Sequence, residues 1–250
     1  MRIAPIAAFG IAAYAVFLVA TMPAAFVLAR AQDAAPGKFE VREASGSAWH
    51  GRARVTLRTP AGDLPIESLE WHWRPARLAA ARIAFDVEAQ AAGMHARFEG
   101  ARTPTQWELS GLEVRGDAVA VAAAIPWLAA WRPEGTVLIT SARLATDGRE
   151  LRGEARVEWR GAAVALSDVK PLGSYRADIH AEGHAGQVDV STLEGRLRVA
   201  GRGTLTPPAN LAFRGEARAE GADANALRPL LDLLGPARPD GARTLDWQAR

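Results

Sequence analysis

The stretch L-R-G-E-A-R-V-E-W-R, residues Leu151 to Arg160, carries the clearest structural signal in the chain. Every second residue from Arg152 to Arg160 is charged, and the residues between them are small or apolar. Successive side chains of a β-strand point to opposite faces of a sheet, so this pattern gives one wet face and one apolar face. One-sided strands of this kind are typical of antiparallel sheets. The stretch therefore predicts a strand of an antiparallel sheet.

The same alternation recurs along most of the chain, in residues 52–58, 85–90, 176–182, 196–202 and 213–220. Two stretches depart from it, Asp117–Trp131 and Asp223–Gly235. In the second, four leucines follow helical spacing and Gly235 stands where a helix ends, which predicts a short helix with Pro229 in its first turn. The chain is thus predicted to be mostly β, with one or two short helices.

The two halves of the body resemble each other. Trp49–Leu57 aligns with Leu151–Trp159, with glycine, alanine, arginine and valine in register, and Leu64–Leu78 is set against Val164–Arg176. At nearly the same offset, Pro126-Trp127-Leu128 aligns with Pro229-Leu230-Leu231. We interpret residues 39–134 and 135–250 as two tandem β repeats that share one apolar face. A chance match between alternating strands is the alternative explanation.

So many one-sided strands create a packing problem, because little helix is predicted to cover their apolar face. The sheet must curl into a half-barrel, fold into a sandwich, or present a groove to a partner or a lipid. Small residues at the inward positions favour strong curvature. The sequence leaves open whether the apolar face is a closed core or an open groove.

The first thirty residues carry a second signal. No side chain from Ile3 to Ala29 is charged, and Arg2 and Arg30 bracket the run. About 20 apolar residues suffice to cross a bilayer core of about 30 Å. We interpret residues 1–30 as a cytoplasmic tip and a transmembrane signal anchor, and residues 31–38 as a spacer. A cleavable signal peptide and a buried helix are the alternatives. The residues expected in the bilayer are Ile3, Ile6, Phe9, Ile11, Tyr14, Phe17, Leu18, Val19, Phe26 and Leu28.

The composition argues against several kinds of functional site. The chain has no cysteine, which excludes a disulfide framework, a thiolate zinc site and a cysteine nucleophile. Its formal net charge of +2 comes from scattered arginines rather than a basic patch, so no nucleic-acid partner is predicted. His180 and His184 are four residues apart, but in a strand and turn, where they are expected at the surface. No catalytic set, metal site or cofactor is predicted, and the chain is interpreted as not an enzyme.

Several pieces of the sequence resemble one known family. The piece S-G-S-A-W-H-G-R-A, Ser45 to Ala53, is similar to a stretch of type II secretion system protein N, and so are P-L-G-S-Y, Pro171 to Tyr175, and G-R-L-R-V-A-G-R-G, Gly195 to Gly203. The order of the pieces spans nearly the whole chain. The motif residues that carry the resemblance are Gly46, Trp49, Gly51, Pro171, Leu172, Gly173, Tyr175, Gly195, Leu197, Gly201 and Gly203.

The resemblance implies a non-catalytic subunit of the type II secretion system, anchored in the bacterial inner membrane with its β domain in the periplasm. Such a subunit supports export of folded proteins across the outer membrane, and its partners are the inner membrane and other components of the machine. The motif residues are then structural: Gly46 and Gly51 permit bends, and Trp49 anchors its strand in the core. The alternative is a groove-like periplasmic protein of the AsmA type, for which lipid is the candidate partner.

Overall fold

The computed structural model describes residue 14 and residues 17–59, 62–123, 130–206 and 210–249. These residues form one open antiparallel sheet of 13 strands, each paired with its neighbours in sequence. The mostly β, antiparallel fold predicted from the alternation is confirmed. The strands are β1 (Phe39–Gly46), β2 (His50–Thr59), β3 (Gly62–Trp73), β4 (Ile83–Ala91), β5 (Met94–Arg102), β6 (Trp107–Asp117), β7 (Pro133–Thr146), β8 (Leu151–Val164), β9 (Gly173–Gly183), β10 (Ala185–Gly195), β11 (Leu197–Thr206), β12 (Asn210–Ala219) and β13 (Arg243–Ala249).

The described helices are short and few: α1 (Ala24–Ala34), α2 (Ala118–Ala123), α3 (Arg228–Leu234), and the 3₁₀ turns η1 (Pro75–Ala80) and η2 (Ala222–Ala224). The short helix predicted before Gly235 is confirmed as α3, with Pro229 in its first turn, where no intrahelical N–H is needed. In the other departing stretch, Asp117 ends β6 and α2 follows. Residues 124–129 lie outside the described residues.

Strand register places one continuous row of polar side chains across the convex face of the sheet. Directly paired residues of an antiparallel sheet point to the same side, and the pairings connect one residue of every strand. Apart from Ser45 and Thr140, all residues of the row are charged. The row runs Ser45, Arg52, Glu70, Glu88, Arg97, Glu113, Thr140, Arg156, Asp178, Asp189, Arg202, Arg214 and Asp246.

Ion pairs join neighbours within this row, including Arg52 with Glu70 at 2.8 Å and Arg156 with Asp178 at 2.7 Å. All four side chains are substantially exposed, so each pair is worth well under about 1 kcal/mol. The row makes the convex face polar and solvent-exposed. Because successive side chains of a strand point to opposite faces, the apolar positions lie on the other, concave face.

The sheet has two ends, which we call proximal and distal. The proximal end carries the connections β1–β2, β3–β4, β5–β6 and β7–β8, while α2, α3 and the segment between β8 and β9 lie at the distal end. Register shifts interrupt several strand pairs, among them β1–β2, β5–β6 and β7–β8. Because such bulges bend strands and increase their twist, they help the long sheet to curl.

The closed part of the interior lies at the distal end of the second half. Leu227, which is fully buried, and Leu230 and Leu231 of α3 pack on Leu172 and Leu197 of the sheet side. The spacing of these three leucines presents one apolar stripe to the concave face. Here the sheet is covered as a conventional core.

The sequence predicts that the uncharged N-terminal run is one membrane-crossing helix through Ala29. The structure differs, because the helix is interrupted before Ala24. Residues 17–20 are helical, Pro23 is extended and bridges to Ser47, and α1 begins at Ala24. Proline has no N–H to offer the carbonyl four residues earlier, so the helix breaks at this point. α1 continues to Ala34, within the predicted spacer of residues 31–38.

The tandem repeat stays a prediction. A helix follows β6 and another follows β12, six strands later, which agrees with two similar units. The expected boundary after residue 134 falls inside β7, however. The aligned segments 64–78 and 164–176 also differ, since the first lies mostly in β3 and the second mostly in the connection before β9.

Candidate functional site

An open apolar trough occupies the concave face of the first half of the sheet, at the proximal end. It encloses a space of about 850 Å³ and is lined by residues from β3 to β8 and by Val27 and Leu28 of α1. The large side chains of its floor are only half-buried. They are Leu69, Trp71, Phe85, Val87, Phe98, Leu109 and Leu144.

Strand alternation explains why these residues share one surface. Phe85 pairs with Gly100, Gly100 with Leu109, and Leu109 with Leu144, so they form one row across β4 to β7. The next row lies two positions along each strand toward the proximal end. It consists of Ile83, Arg102, Trp107, Thr146 and Leu151. Ile83 and Trp107 in that row are 49% and 59% exposed, which makes it the rim of the trough.

The two halves of the concave face therefore differ. In the second half a smaller space of about 300 Å³ lies between Trp131, Trp159 and Tyr175 and the leucines of α3. At the proximal end of the first half, α1 lines one side of the larger trough, and no other described helix covers its floor. A contiguous apolar surface that is left open marks an interaction site.

Two charged residues border the trough. Glu108 points to the convex face, where its buried carboxylate pairs with Arg82 and accepts a 2.9 Å hydrogen bond from Arg143. Arg102 points to the concave face, and its guanidinium carbon lies 4.9 Å from the ring centroid of Trp107. This cation–π contact holds a positive charge at the rim of the trough.

The N-terminal segment is tied to this same proximal end. The indole N–H of Trp49 donates to the carbonyl of Val19 at 2.8 Å, and the amide of Ala48 donates to Met22 O at 2.8 Å. Val19 is four residues before Pro23, so its carbonyl lacks the usual helical donor; the amide of Met22 donates to it at 3.2 Å, and Trp49 supplies a second hydrogen bond. Trp49 thus lies half-buried in the β1–β2 connection rather than deep in the core, and it attaches the N-terminal helical segment to the sheet.

The motif glycines around Trp49 sit where backbones approach closely. Gly46 has φ +84°, and a Cβ there would meet the carbonyl oxygen of His50 at 2.5 Å. A Cβ on Gly51 would collide with the ring of Trp71, whose indole N–H donates to Ala48 O at 3.1 Å. These contacts explain why glycine stands at both positions.

The motif pieces of the second half meet at the distal end, although more than twenty residues separate them. Leu172 is buried and its carbonyl accepts from the amide of Leu197 at 3.0 Å, while Gly173 pairs with Gly195. The hydroxyl of Tyr175 donates to Leu197 O at 2.9 Å, and burial raises the pKa of Tyr175 well above its usual value. Pro171 precedes this junction after a cis peptide bond.

The remaining two motif glycines lie on β11. Gly201 pairs with Gly215 of β12, and a Cβ on Gly201 would meet the ring of Phe213 at 2.5 Å. Gly203 pairs with Phe213 itself. The glycines leave room for this ring on the concave face.

The residues predicted for the bilayer are only partly described. Ile3, Ile6, Phe9 and Ile11 lie outside the described residues. The side chains of Tyr14, Phe17, Leu18 and Val19 are exposed, Phe26 is exposed on α1, and Leu28 lies against the trough. None of the described helices has the length and apolar character needed to cross a membrane.

Sequence reasoning missed the trough residues and Arg102. The available signal was the size of the inward side chains: β3 to β6 carry leucine, phenylalanine and tryptophan there, whereas β9 to β12 carry more alanine and glycine. In the described part of the chain, no group of three or more potential metal ligands is found.

The described residues therefore form an open antiparallel sheet with a polar convex face and an apolar concave face that holds the trough. The model of one family, described as "Type II secretion system (T2SS), protein N", matches residues 38–246, which include nearly the whole sheet. The chain belongs to this family, as the resemblance of its motifs indicated. It is 26% identical to type II secretion system protein N of Pectobacterium carotovorum subsp. carotovorum, over 95% of this chain and 93% of that protein. No solved structure matches it significantly.

Proposed function

We propose that the chain is a non-catalytic subunit of the type II secretion system. In this proposal it is anchored in the inner membrane, its sheet lies in the periplasm, and it supports export of folded proteins across the outer membrane. The family match over residues 38–246 carries the proposal. The matches give no support to the AsmA-type alternative.

The proposed role is structural because many of the charged groups of the sheet form ion pairs with each other. The carboxylate of Glu158, for example, accepts hydrogen bonds from Arg160 and Arg176, which lower the pKa of Glu158. A carboxylate saturated in this way holds strands together and is poorly suited to proton transfer.

The proposed anchor is the uncharged sequence before Thr21, from Ile3 to Ala20. These 18 residues fall within the range of about 17–25 that spans a bilayer core. Pro23 and the Trp49 hydrogen bond then mark the point where the chain leaves the anchor and joins the sheet. We further propose that residues 39–134 and 135–250 are two tandem β repeats.

Deletion of the gene, followed by measurement of exoproteins in the medium, tests the secretion role. We expect folded substrates to accumulate in the periplasm and the full-length chain to restore their release. Normal release in the deletion strain, with the other components present, would contradict the proposal.

The absence of cysteine allows a direct test of topology. Ser191 is exposed on β10, so Ser191→Cys introduces a single accessible thiol. A membrane-impermeant maleimide should label this variant in cells whose outer membrane has been permeabilised and whose inner membrane is intact. Labelling that requires rupture of the inner membrane would place the sheet in the cytoplasm and overturn the assignment.

A further inference from the structure

We infer that the trough holds an acyl chain of an anionic phospholipid, drawn from the membrane at the proximal end of the sheet. The inference deepens the proposed function and rests on it for the nearness of the membrane. It does not make the protein a lipid carrier: the lipid is a docked component that seats the subunit on the bilayer.

The chemistry of the trough fits an amphiphile with one negative group. Its floor of leucine, valine and aromatic side chains is half-buried, and its volume of about 850 Å³ lies within the range of about 300–1,000 Å³ typical of small-molecule sites. Glu108 is already paired on the opposite face. The guanidinium of Arg102 therefore has no carboxylate partner among the described residues, and it is free to bind a phosphate at the rim.

The position of the rim decides between a membrane lipid and a soluble ligand. Leu78 of η1, Ile83 and Trp107 expose large apolar surfaces at the proximal end. The Val19 carbonyl is held by Trp49 at this same end, directly after the uncharged N-terminal run. Tryptophan and arginine side by side are typical of the membrane–water interface, where the ring lies at the level of the headgroups and the cation meets phosphates.

One wall of the trough is formed by α1, which follows the N-terminal helical segment in sequence. Val27 and Leu28 of α1 line one side, and α1 is separated from the N-terminal helical segment only by the break at Thr21–Pro23. An acyl chain that leaves the bilayer beside the anchor would pass from one apolar surface to the next without crossing water. Its burial would cover the half-buried apolar side chains of the trough floor.

Photo-crosslinking of the full-length chain in nanodiscs tests the inference. The nanodiscs contain phosphatidylcholine and a phosphatidylglycerol that carries a diazirine near the end of one acyl chain. We expect crosslinks on Phe98, Leu109 and Leu144 in addition to those on the N-terminal run. Crosslinks confined to residues before Thr21 would overturn the inference.

Three variants sharpen the result. Gly100→Phe fills the trough with an apolar ring at a position where a Cβ meets only Phe98, at 3.5 Å, so it should block the site and keep the sheet folded. Arg102→Glu reverses the charge at the rim. Each should lower trough crosslinking about tenfold, equivalent to about 1.4 kcal/mol. Arg202→Glu, on the convex face and 90% exposed, is the control and should change nothing.

The choice of probe tests separately which lipid headgroup is bound and whether the acyl chain comes from the membrane. Trough crosslinking that is equally strong from a phosphatidylcholine probe would remove the role of Arg102, and labelling by a soluble fatty acid but not by the nanodisc lipid would refute a membrane source. Because crosslinking uses purified protein, a strain that secretes normally would contradict the secretion role and leave trough labelling intact. The two proposals therefore fail separately.

Discussion

Trp49 shows how much one side chain can decide at the residue scale. A tryptophan in a short connection would ordinarily pack its ring, and here the ring does lie 4.7 Å from that of Trp73. Its indole N–H also donates to the Val19 carbonyl, to which Pro23 cannot donate and to which the amide of Met22 donates at 3.2 Å. The Trp49 indole therefore adds a directed hydrogen bond to the Ala48–Met22 bond and the Pro23–Ser47 bridge, which also attach the N-terminal segment.

Trp49→Phe should loosen this attachment while leaving the sheet folded. The loss of one hydrogen bond is worth about 1 kcal/mol, so exchange of the Ala48 amide, which donates to Met22, should speed up about fivefold. Trp73→Phe is the matched control, since the buried indole nitrogen of Trp73 has no partner among the described residues. Equal exchange rates in both variants would show that ring packing, not the hydrogen bond, holds the segment.

Tyr175 gives a prediction with a pH dependence. Burial raises the pKa of its hydroxyl in the folded state above the unfolded value near 10. The folded chain then binds this proton more tightly, so its contribution to stability is present below the unfolded pKa and declines as the pH rises above it. Urea unfolding followed between pH 9 and pH 11 should show a steeper loss of stability for the wild type than for Tyr175→Phe. Parallel pH profiles would contradict the assignment.

At the scale of elements, the junction of β9, β10 and β11 is held by close backbone contact. Gly195 has φ +133°, and a Cβ there would collide with the backbone of Gly173 on the paired strand. Gly183, in the β9–β10 turn, also has positive φ but open space around it. Substitution at Gly183 therefore tests backbone strain alone, and substitution at Gly195 tests backbone strain together with steric collision.

Gly183→Ala should cost about 1–2 kcal/mol, the penalty of placing a side chain in the left-handed region. Gly195→Ala should cost clearly more, because strands β9 and β10 must also separate. Chemical unfolding of the two variants measures the difference. Equal losses would show that the strands relax around the added methyl group.

The whole molecule combines a core covered by α3 at the distal end with an open trough at the proximal end of one sheet. Leu227, immediately before α3, is fully buried, whereas Leu69 on the floor of the trough is half-buried. Leu227→Ala should therefore destabilise the chain by about 2–5 kcal/mol, as large-to-small changes in cores do. Leu69→Ala should cost much less in free energy of unfolding, since water already reaches the site. A cost for Leu69→Ala that matches Leu227→Ala would show that the trough is closed in solution.

Local patterns were sufficient for most strands and for α3. Alternation between charged and apolar residues predicted the strands, and the spacing of Leu227, Leu230 and Leu231 before Gly235 predicted α3, because both depend on neighbours within a few residues. The break at Pro23 was also present in the sequence, but the long uncharged run masked it. The order of the motif pieces was enough to identify the family.

The sequence by itself determined a one-sided antiparallel sheet, a short distal helix and a type II secretion relative. Only the tertiary structure decided which part of the apolar face is covered. That outcome depends on where α3 falls across the sheet, on the register that aligns Phe85, Leu109 and Leu144, and on the end of the sheet to which Trp49 ties the N-terminal segment. Each is a contact between residues far apart in sequence, and strand periodicity carries no information about such contacts.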